Sequence, residues 1–281
     1  MTTSDDAIDA AAARVRRKYD TEIFGLLTEA WGEHLHMGLF EAADEPFDVA
    51  TERATATMAR DAGFRAGQHV LEVACGIGGT ARYIARTHGV RVEATNISEA
   101  QIERARALTA EAGLDHLVHV SRADFHDLPF PDHGFDGWWC QEAMLYAADK
   151  PRVLAEAVRV VRPGSRLVLS DLIFLPGTPA DVKDAFMKRL GAHHVWTAED
   201  YDRLLARSGL EVRARHDFSP HVAPTFASVL ARFTAKRERN VARVGAAEVD
   251  EVIGRLGMQR DAARAGHLGW IYYALAVPRT T

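Results

Sequence analysis

Eight consecutive residues carry the clearest chemical signal: Glu72-Val73-Ala74-Cys75-Gly76-Ile77-Gly78-Gly79. The run follows a short apolar stretch rich in β-formers and opens a helical pattern. Glycines at such a junction let the backbone approach a ligand closely, and the amides that open a helix can hydrogen-bond a carboxylate. The spacing is G-x-G-G, with Glu72 at the strand end, where it is expected to stay charged beside a cationic ligand. A nicotinamide or flavin dinucleotide loop is the runner-up; it needs a third glycine three residues past the second, and position 81 is Ala. Histidines form two further groups, His34 with His36 and His193 with His194. Neither pair has the cysteine or carboxylate spacing of a structural zinc site, so no metal is expected. His36, His193 and His194 are instead candidates for the wall of an acceptor pocket.

These residues need elements to hold them. Apolar patterning predicts strands at 69–74, 91–96, 118–123, 135–140, 166–171, 211–218 and 268–277. Helices are expected at 5–18, 48–62, 80–87, 98–112, 150–161 and 198–208. Ser98 reads as an N-cap, with Gln101 completing a capping box, and Pro163-Gly164 stops the helix before it. The aromatic, glycine-punctuated segment 30–40 suits an ordered loop, and 176–196 is irregular or short-helical. Strands alternating with helices indicate a parallel sheet covered on both faces. The expected layout is an N-terminal helical entry segment at 1–62 and an α/β core at 63–218. A helical lid insertion at 219–266 and a final core strand with its tail at 267–281 complete it.

Bulk properties narrow the partner. The 281 residues are 47% hydrophobic and 26% charged, with a formal net charge of −5. That composition is globular, and no basic stripe marks a nucleic-acid binder. Cys75 and Cys140 lie in apolar runs and read as buried free thiols, which fits a reducing compartment. No signal pattern opens the sequence, and no apolar run reaches the roughly 18 residues of a membrane helix. A cytoplasmic enzyme or binding protein with a small-molecule partner is expected, without nucleic acid or membrane insertion; a homo-oligomer is compatible with this.

The glycine loop resembles the first motif of class I S-adenosylmethionine methyltransferases, (D/E)-x-G-x-G-x-G, with Ala74 where the family often has glycine. Further motifs follow in order. Asn96 stands at the ribose-binding position that ends the second strand, with Ile97 and Gln101 beside it. Asp124-Phe125 matches the adenine-binding position. Phe135-Asp136-Gly137-Trp138-Trp139-Cys140-Gln141-Glu142 matches the fourth motif and Arg162-Pro163-Gly164-Ser165 the fifth. The resemblance implies a Rossmann-like seven-stranded sheet with S-adenosylmethionine held by Glu72, Ala74, Gly76, Gly78, Asn96, Ile97, Gln101, Asp124, Phe125 and Gln141.

The flanks are most similar to the sarcosine/dimethylglycine N-methyltransferases. The similarity lies in Tyr19-Asp20, in 30–40 and in Arg264-Ala265-Gly266-His267-Leu268-Gly269-Trp270. That group carries Gln-Asp in the fourth motif and Asp-Pro-Met after the fifth strand, where this chain has Gln141-Glu142 and Asp171-Leu172-Ile173. Sterol and isoprenoid C-methyltransferases place a glutamate at the position of Glu142. The resemblance implies an acceptor pocket including Trp31, Trp138, Tyr146 and His193, with Glu142, His36, His194 and Tyr19 as candidate catalytic groups. N-methylation of a small amine leads; C-methylation of an isoprenoid or other apolar acceptor with Glu142 as base is the alternative. A non-catalytic S-adenosylmethionine-binding regulator is the third reading. Alternation along the fourth strand puts Trp138 and Trp139 on opposite faces.

Overall fold

The computed structural model describes residues 4–279 apart from 43, 191 and 193. Three helices come first: α1 (Ser4–Tyr19), α2 (Glu22–Trp31) and α3 (Phe47–Ala62). The core then alternates: β1 (His69–Val73), α4 (Gly79–His88), β2 (Arg91–Asn96), α5 (Glu99–Glu111), β3 (Val118–Arg122) and β4 (Phe135–Gln141). It continues with α6 (Lys150–Val160), β5 (Val161–Phe174), α7 (Ala180–Leu190), α8 (Ala198–Arg207) and β6 (Glu211–Asp217). A helical insertion follows, α9 (Val222–Ala235), α10 (Arg237–Val244) and α11 (Ala246–Arg264), before β7 (Leu268–Ala276).

The strands form one seven-stranded sheet in the order β3-β2-β1-β4-β5-β7-β6. β1 to β5 run parallel, and β7 is antiparallel to both β5 and β6. Each face carries its own core. Val70, Trp139, Val168 and Tyr272 join the helices of the entry segment, α4, α5 and the insertion. Their strand neighbours Leu71, Trp138, Leu167 and Tyr273 join α6 and α8. Strict alternation on strands buried from both sides therefore feeds two cores at once.

Three local expectations are corrected. Pro163-Gly164 does not sit between a helix and a strand: α6 ends at Val160, and β5 starts at Val161. The pair lies where the β4–β5 register shifts, with Gly164 at φ 85°. An irregular ladder tolerates a residue without an N–H. Segment 176–196 contains a regular helix, α7. The capping box at Ser98 is half-formed: the Ser98 hydroxyl accepts from Gln101 N at 3.2 Å, but the Gln101 side chain turns to Asn96. The Ser98 N–H is taken by Asn96 Oδ1 at 3.2 Å.

The strand order reverses between β1 and β4, where open α/β sheets form a crevice at their carboxyl ends. The glycine loop leaves β1 on one side of that point, and Gln141-Glu142 leaves β4 on the other. α9 packs on α11 and α2, which places the insertion over the entry segment. Among the described residues, no helix is long and apolar enough to cross a membrane.

Candidate active site

A cavity of about 1350 Å³, its open mouth included, lies above this crevice. Its donor side is built by the glycine loop. Ala74, Gly76 and Gly78 all have left-handed backbones, at φ 53°, 57° and 76°. Ala74 carries the strain that a glycine would avoid there. The loop is pressed from outside by the entry segment. A Cβ on Gly79 would fall 2.2 Å from the Glu33 carbonyl oxygen, and one on Gly76 would fall 3.0 Å from Leu35 Cδ1.

Asn96 ties the loop to the second strand. Its Nδ2 donates to Gly76 O at 3.2 Å and to Gln101 Oε1 at 2.9 Å. Its Oδ1 accepts from Ile97 N at 2.7 Å and Ser98 N at 3.2 Å. Both amide hydrogens and both oxygen lone pairs are thus committed within the protein. The neighbouring Gln101 Nε2 is buried without a partner among the described residues, and so is Gln141 Nε2. Both residues line the cavity. These two amides are the unsatisfied donors of the donor side, and a buried orphan donor calls for a ligand. Asp124 and Phe125 also line the cavity. Asp124 Oδ1 accepts from His126 N at 2.9 Å and His126 Nδ1 at 2.7 Å. Burial raises its pKa, but those hydrogen bonds and the His126 charge outweigh it, so the carboxyl stays below its usual range.

Glu72 is buried at the end of β1. Burial pushes it up to about 8, against the opposing pull of Arg82 and the Ala81 N–H. Its Oε2 has no partner among the described residues. The raised value favours its protonated form near pH 7. Because the folded value lies above the unfolded one, the fold loses stability as pH rises from 4.5 through about 8. Melting curves should show the parent losing about 5 °C more than Glu72→Gln between pH 6 and 9. Parallel curves for the two proteins would refute the assignment.

The acceptor side is aromatic. Tyr19, Phe24, Trp31, Tyr146 and Phe226 line it, with Lys18 and Arg255 as its cations. Trp31 packs against Phe47 at 5.9 Å and Phe226 at 6.2 Å between ring centroids. Burial, the Tyr146 neighbour and its hydrogen bond raise the Tyr19 pKa well above normal, so its phenol stays protonated. Glu142 sits at the end of β4 with φ 48°, a left-handed backbone rare outside glycine. Its Oε1 accepts from Ser170 Oγ at 2.6 Å and Trp270 Nε1 at 2.8 Å, and its Oε2 accepts from Met37 N at 2.8 Å. Burial nevertheless lifts its pKa to about 7.

Several sequence expectations are corrected here. Trp138 is fully buried under α6 and does not line the cavity; Trp139 is equally buried on the other face. A central strand covered on both sides leaves neither ring a route to the acceptor. His194 is exposed and lines a separate surface groove beside Lys150 and Ile8. His194→Ala should leave turnover within about twofold of the parent; a loss beyond tenfold in a steady-state assay would contradict this placement. His36 lines the cavity, but Nδ1 bonds Met37 O at 2.9 Å and Nε2 bonds Thr55 Oγ1 at 2.9 Å. A carbonyl only accepts, so Nδ1 carries the proton and Nε2 accepts from Thr55. Burial and the neighbouring His34 hold its pKa near 3, and neither nitrogen is left for catalysis. His193 lies outside the described residues. Cys75 and Cys140 are both free and buried.

Sequence reasoning missed Lys18, Ser170, Phe226 and Arg255. It quoted Trp270 only as part of a strand motif, although that indole binds Glu142.

Comparison with known proteins defines the class. Residues 71–169 match the methyltransferase domain model. The chain is 34% identical over 233 residues to 27-O-demethylrifamycin SV methyltransferase of Amycolatopsis mediterranei, covering 82% of this chain and 86% of the relative. It is 31% identical to the sarcosine/dimethylglycine N-methyltransferase of Halorhodospira halochloris, over 94% of this chain and 96% of that one. A putative sarcosine dimethylglycine methyltransferase structure from Galdieria sulphuraria superposes with a TM-score of 0.82 at 22% identity, covering 95% and 98% of the two chains. The chain belongs to the S-adenosylmethionine-dependent methyltransferases, and its methyl donor is S-adenosylmethionine. An enzyme replaces the regulator reading. The left-handed loop, the crowded Gly79 and the orphan amides of Gln101 and Gln141 fit that donor.

Proposed function

We propose that this enzyme methylates the nitrogen of a small amine that also carries a carboxylate. When bound, S-adenosylmethionine supplies an activated methyl group: the acceptor lone pair bonds to carbon, the carbon–sulfur pair stays on sulfur, and positive charge passes to the acceptor. The protein's task is then to orient and to exclude water. One observation carries the reading: the two candidate bases facing the cavity, His36 and Glu142, are already held in hydrogen bonds. A neutral amine needs no protein base, whereas carbon and most hydroxyl acceptors do. Aromatic faces suit an amine that becomes cationic, and Arg255 suits its carboxylate. The relative from Halorhodospira halochloris supports the same chemistry.

A second reading has its own support. Glu142 has one Oε2 lone pair beyond its three donors, its pKa stands near 7, and the Amycolatopsis mediterranei relative is named for a demethylated oxygen. That reading is proton removal by Glu142 from a hydroxyl or carbon of an apolar acceptor.

The test is S-adenosylhomocysteine release with sarcosine, dimethylglycine, phenols, prenyl diphosphates and hydroxylated macrocycles. Turnover of the amino acids is expected, with Arg255→Met raising KM at least tenfold and changing kcat little. Turnover confined to hydroxyl or carbon acceptors would replace the first reading by the second.

A further inference from the structure

We propose that His126 is a positioning residue for the donor's adenine: it holds the Asp124 carboxylate so that one oxygen faces the adenine amine. The proposal rests on Asp124 meeting the adenine, and it holds whichever acceptor is methylated.

Asp124 engages the protein through one oxygen. Its Oδ1 accepts from the His126 backbone N–H at 2.9 Å and from the His126 ring at 2.7 Å. A carboxylate only accepts, so ring Nδ1 is the donor. No hydrogen bond reaches Oδ2 among the described residues. The side chain is 26% exposed and lines the cavity. Oδ2 is therefore the oxygen left for a ligand, and that ligand must bring an N–H or O–H. The sheet order tells which part of the donor arrives there. β1, β2 and β3 are neighbours, and their carboxyl ends carry the glycine loop, Asn96 and Asp124 in turn. The amides that open α4 suit the donor's carboxylate, and its sulfonium has to face the acceptor chamber beside Glu142. The adenosine then extends away from β4, with ribose at β2 and adenine at β3. The adenine amine supplies the N–H that Oδ2 accepts.

The backbone bond alone would leave the carboxylate free to turn about its last torsion, which is broad and soft. A second donor on the same oxygen removes that freedom, and the ring bond is charge-assisted, the stronger kind. The ring is itself held. It is 3% exposed and packs edge-on to Phe125 at 4.8 Å between centroids. The Asp149 N–H, just before α6, donates to ring Nε2 at 3.4 Å. Arg152 Nε, in the first turn of α6, donates to the His126 carbonyl at 2.9 Å. The helix thus braces the ring, the ring braces the carboxylate, and Oδ2 is in place before the donor binds. A preorganised acceptor spares the complex the cost of ordering it.

The test measures, by calorimetry on the full chain, binding of S-adenosylhomocysteine and of its analogue with unsubstituted purine in place of adenine. The two differ only in the amine. The parent should prefer the adenine compound by about 50-fold. His126→Phe and His126→Ala keep the backbone bond, and each should cut that preference to about fivefold or less. His126→Asn returns an N–H near the Nδ1 position and should keep the preference within about threefold of the parent. Asp124→Ala should abolish the preference, and adding His126→Phe to it should change nothing further. Melting curves identify the folded variants. A folded His126→Phe or His126→Ala that weakens both compounds equally would overturn the proposal, because a merely structural role does that. A preference lost in His126→Asn, or a His126 effect that persists without Asp124, would overturn it too. Equal binding of both compounds by the parent, or parent-like preference in Asp124→Ala, removes the adenine premise and the proposal with it. Every arm reads donor binding, so none of these outcomes bears on which acceptor is methylated.

Discussion

Gly79→Ala is expected to lower affinity for S-adenosylhomocysteine by at least about 100-fold and to cost about 2–3 kcal/mol of stability. The reason is spatial. The added methyl would lie 2.2 Å from the Glu33 carbonyl oxygen, 2.9 Å from its carbon and 3.2 Å from His34 Nδ1. Two of those atoms are backbone, so no side-chain rotation relieves the clash. Either the first turn of α4 shifts or residues 32–37 lift off. Both outcomes disturb the left-handed loop proposed to hold the donor, and lifting 32–37 also removes the Met37 N–H from Glu142. Gly25→Ala is the matched control: it lies in α2 with nothing within 4 Å of its Cβ and should stabilise by about 0.5–1 kcal/mol. Calorimetric titration and thermal melts of the two variants decide the matter. Unchanged donor affinity in Gly79→Ala would show that the entry segment does not bear on the loop.

Removing the Glu142 carboxylate should have the other large effect. Glu142→Ala leaves the Ser170 hydroxyl, the Trp270 indole and the Met37 amide without their acceptor, and the expected cost is about 3 kcal/mol or more. Glu142→Gln separates structure from chemistry, since it keeps one carbonyl oxygen. Under the amine reading, kcat falls by less than about fivefold, because no proton has to leave through this residue. Under the base reading it falls by about 100-fold or more. The pH dependence gives an independent check. The carboxyl is raised from its ordinary 4.5 to about 7 by burial, so the folded chain binds its proton more tightly than the unfolded chain. Its contribution to stability therefore declines as pH rises from 4.5 through about 7. A base role would make kcat climb across pH 7 in the parent and flatten in Glu142→Gln. Matching profiles in the two proteins would eliminate it.

The elements that carry the glycine loop were legible in the sequence because they are local, whereas Asn96, Asp124 and Gln141 were singled out by the resemblance to methyltransferase motifs. A strand, a glycine turn and a helix occupy consecutive residues, and hydrophobic periodicity reports them directly. On the acceptor side Tyr19, Trp31, His36, Glu142 and Tyr146 do line the cavity as expected, but their partners were not legible, because those contacts join distant segments. Lys18 meets Tyr146, and Glu142 meets Trp270, each across 128 positions. No spacing rule reaches that far. The misplaced Trp138 has a different cause: alternation shows which residues share a face but not whether a helix covers it. His36 was correctly placed at the cavity, while its chemistry depended on Thr55, nineteen positions away. Pro163-Gly164 misled because the pair usually ends helices, whereas here the helix had already ended and the strand absorbed them at a register shift.

The position of β7 governs how this fold can be assembled. It follows every other strand in the chain, yet it lies between β5 and β6, with all nine residues buried. While the chain is being synthesised, β5 therefore shows an unpaired edge until the insertion and β7 have emerged. Its stretch from Leu167 to Phe174, apolar except for Ser170 and Asp171, is the kind of segment that recruits foreign strands. Closing that edge requires bringing together residues such as Ser170 and Tyr272, more than a hundred positions apart. Closure of this kind is slow and comes late. Trp270, which holds Glu142, arrives with the same strand. The polypeptide thus completes its sheet and its acceptor chamber in one event, and a half-made chain carries a donor loop with no enzyme around it.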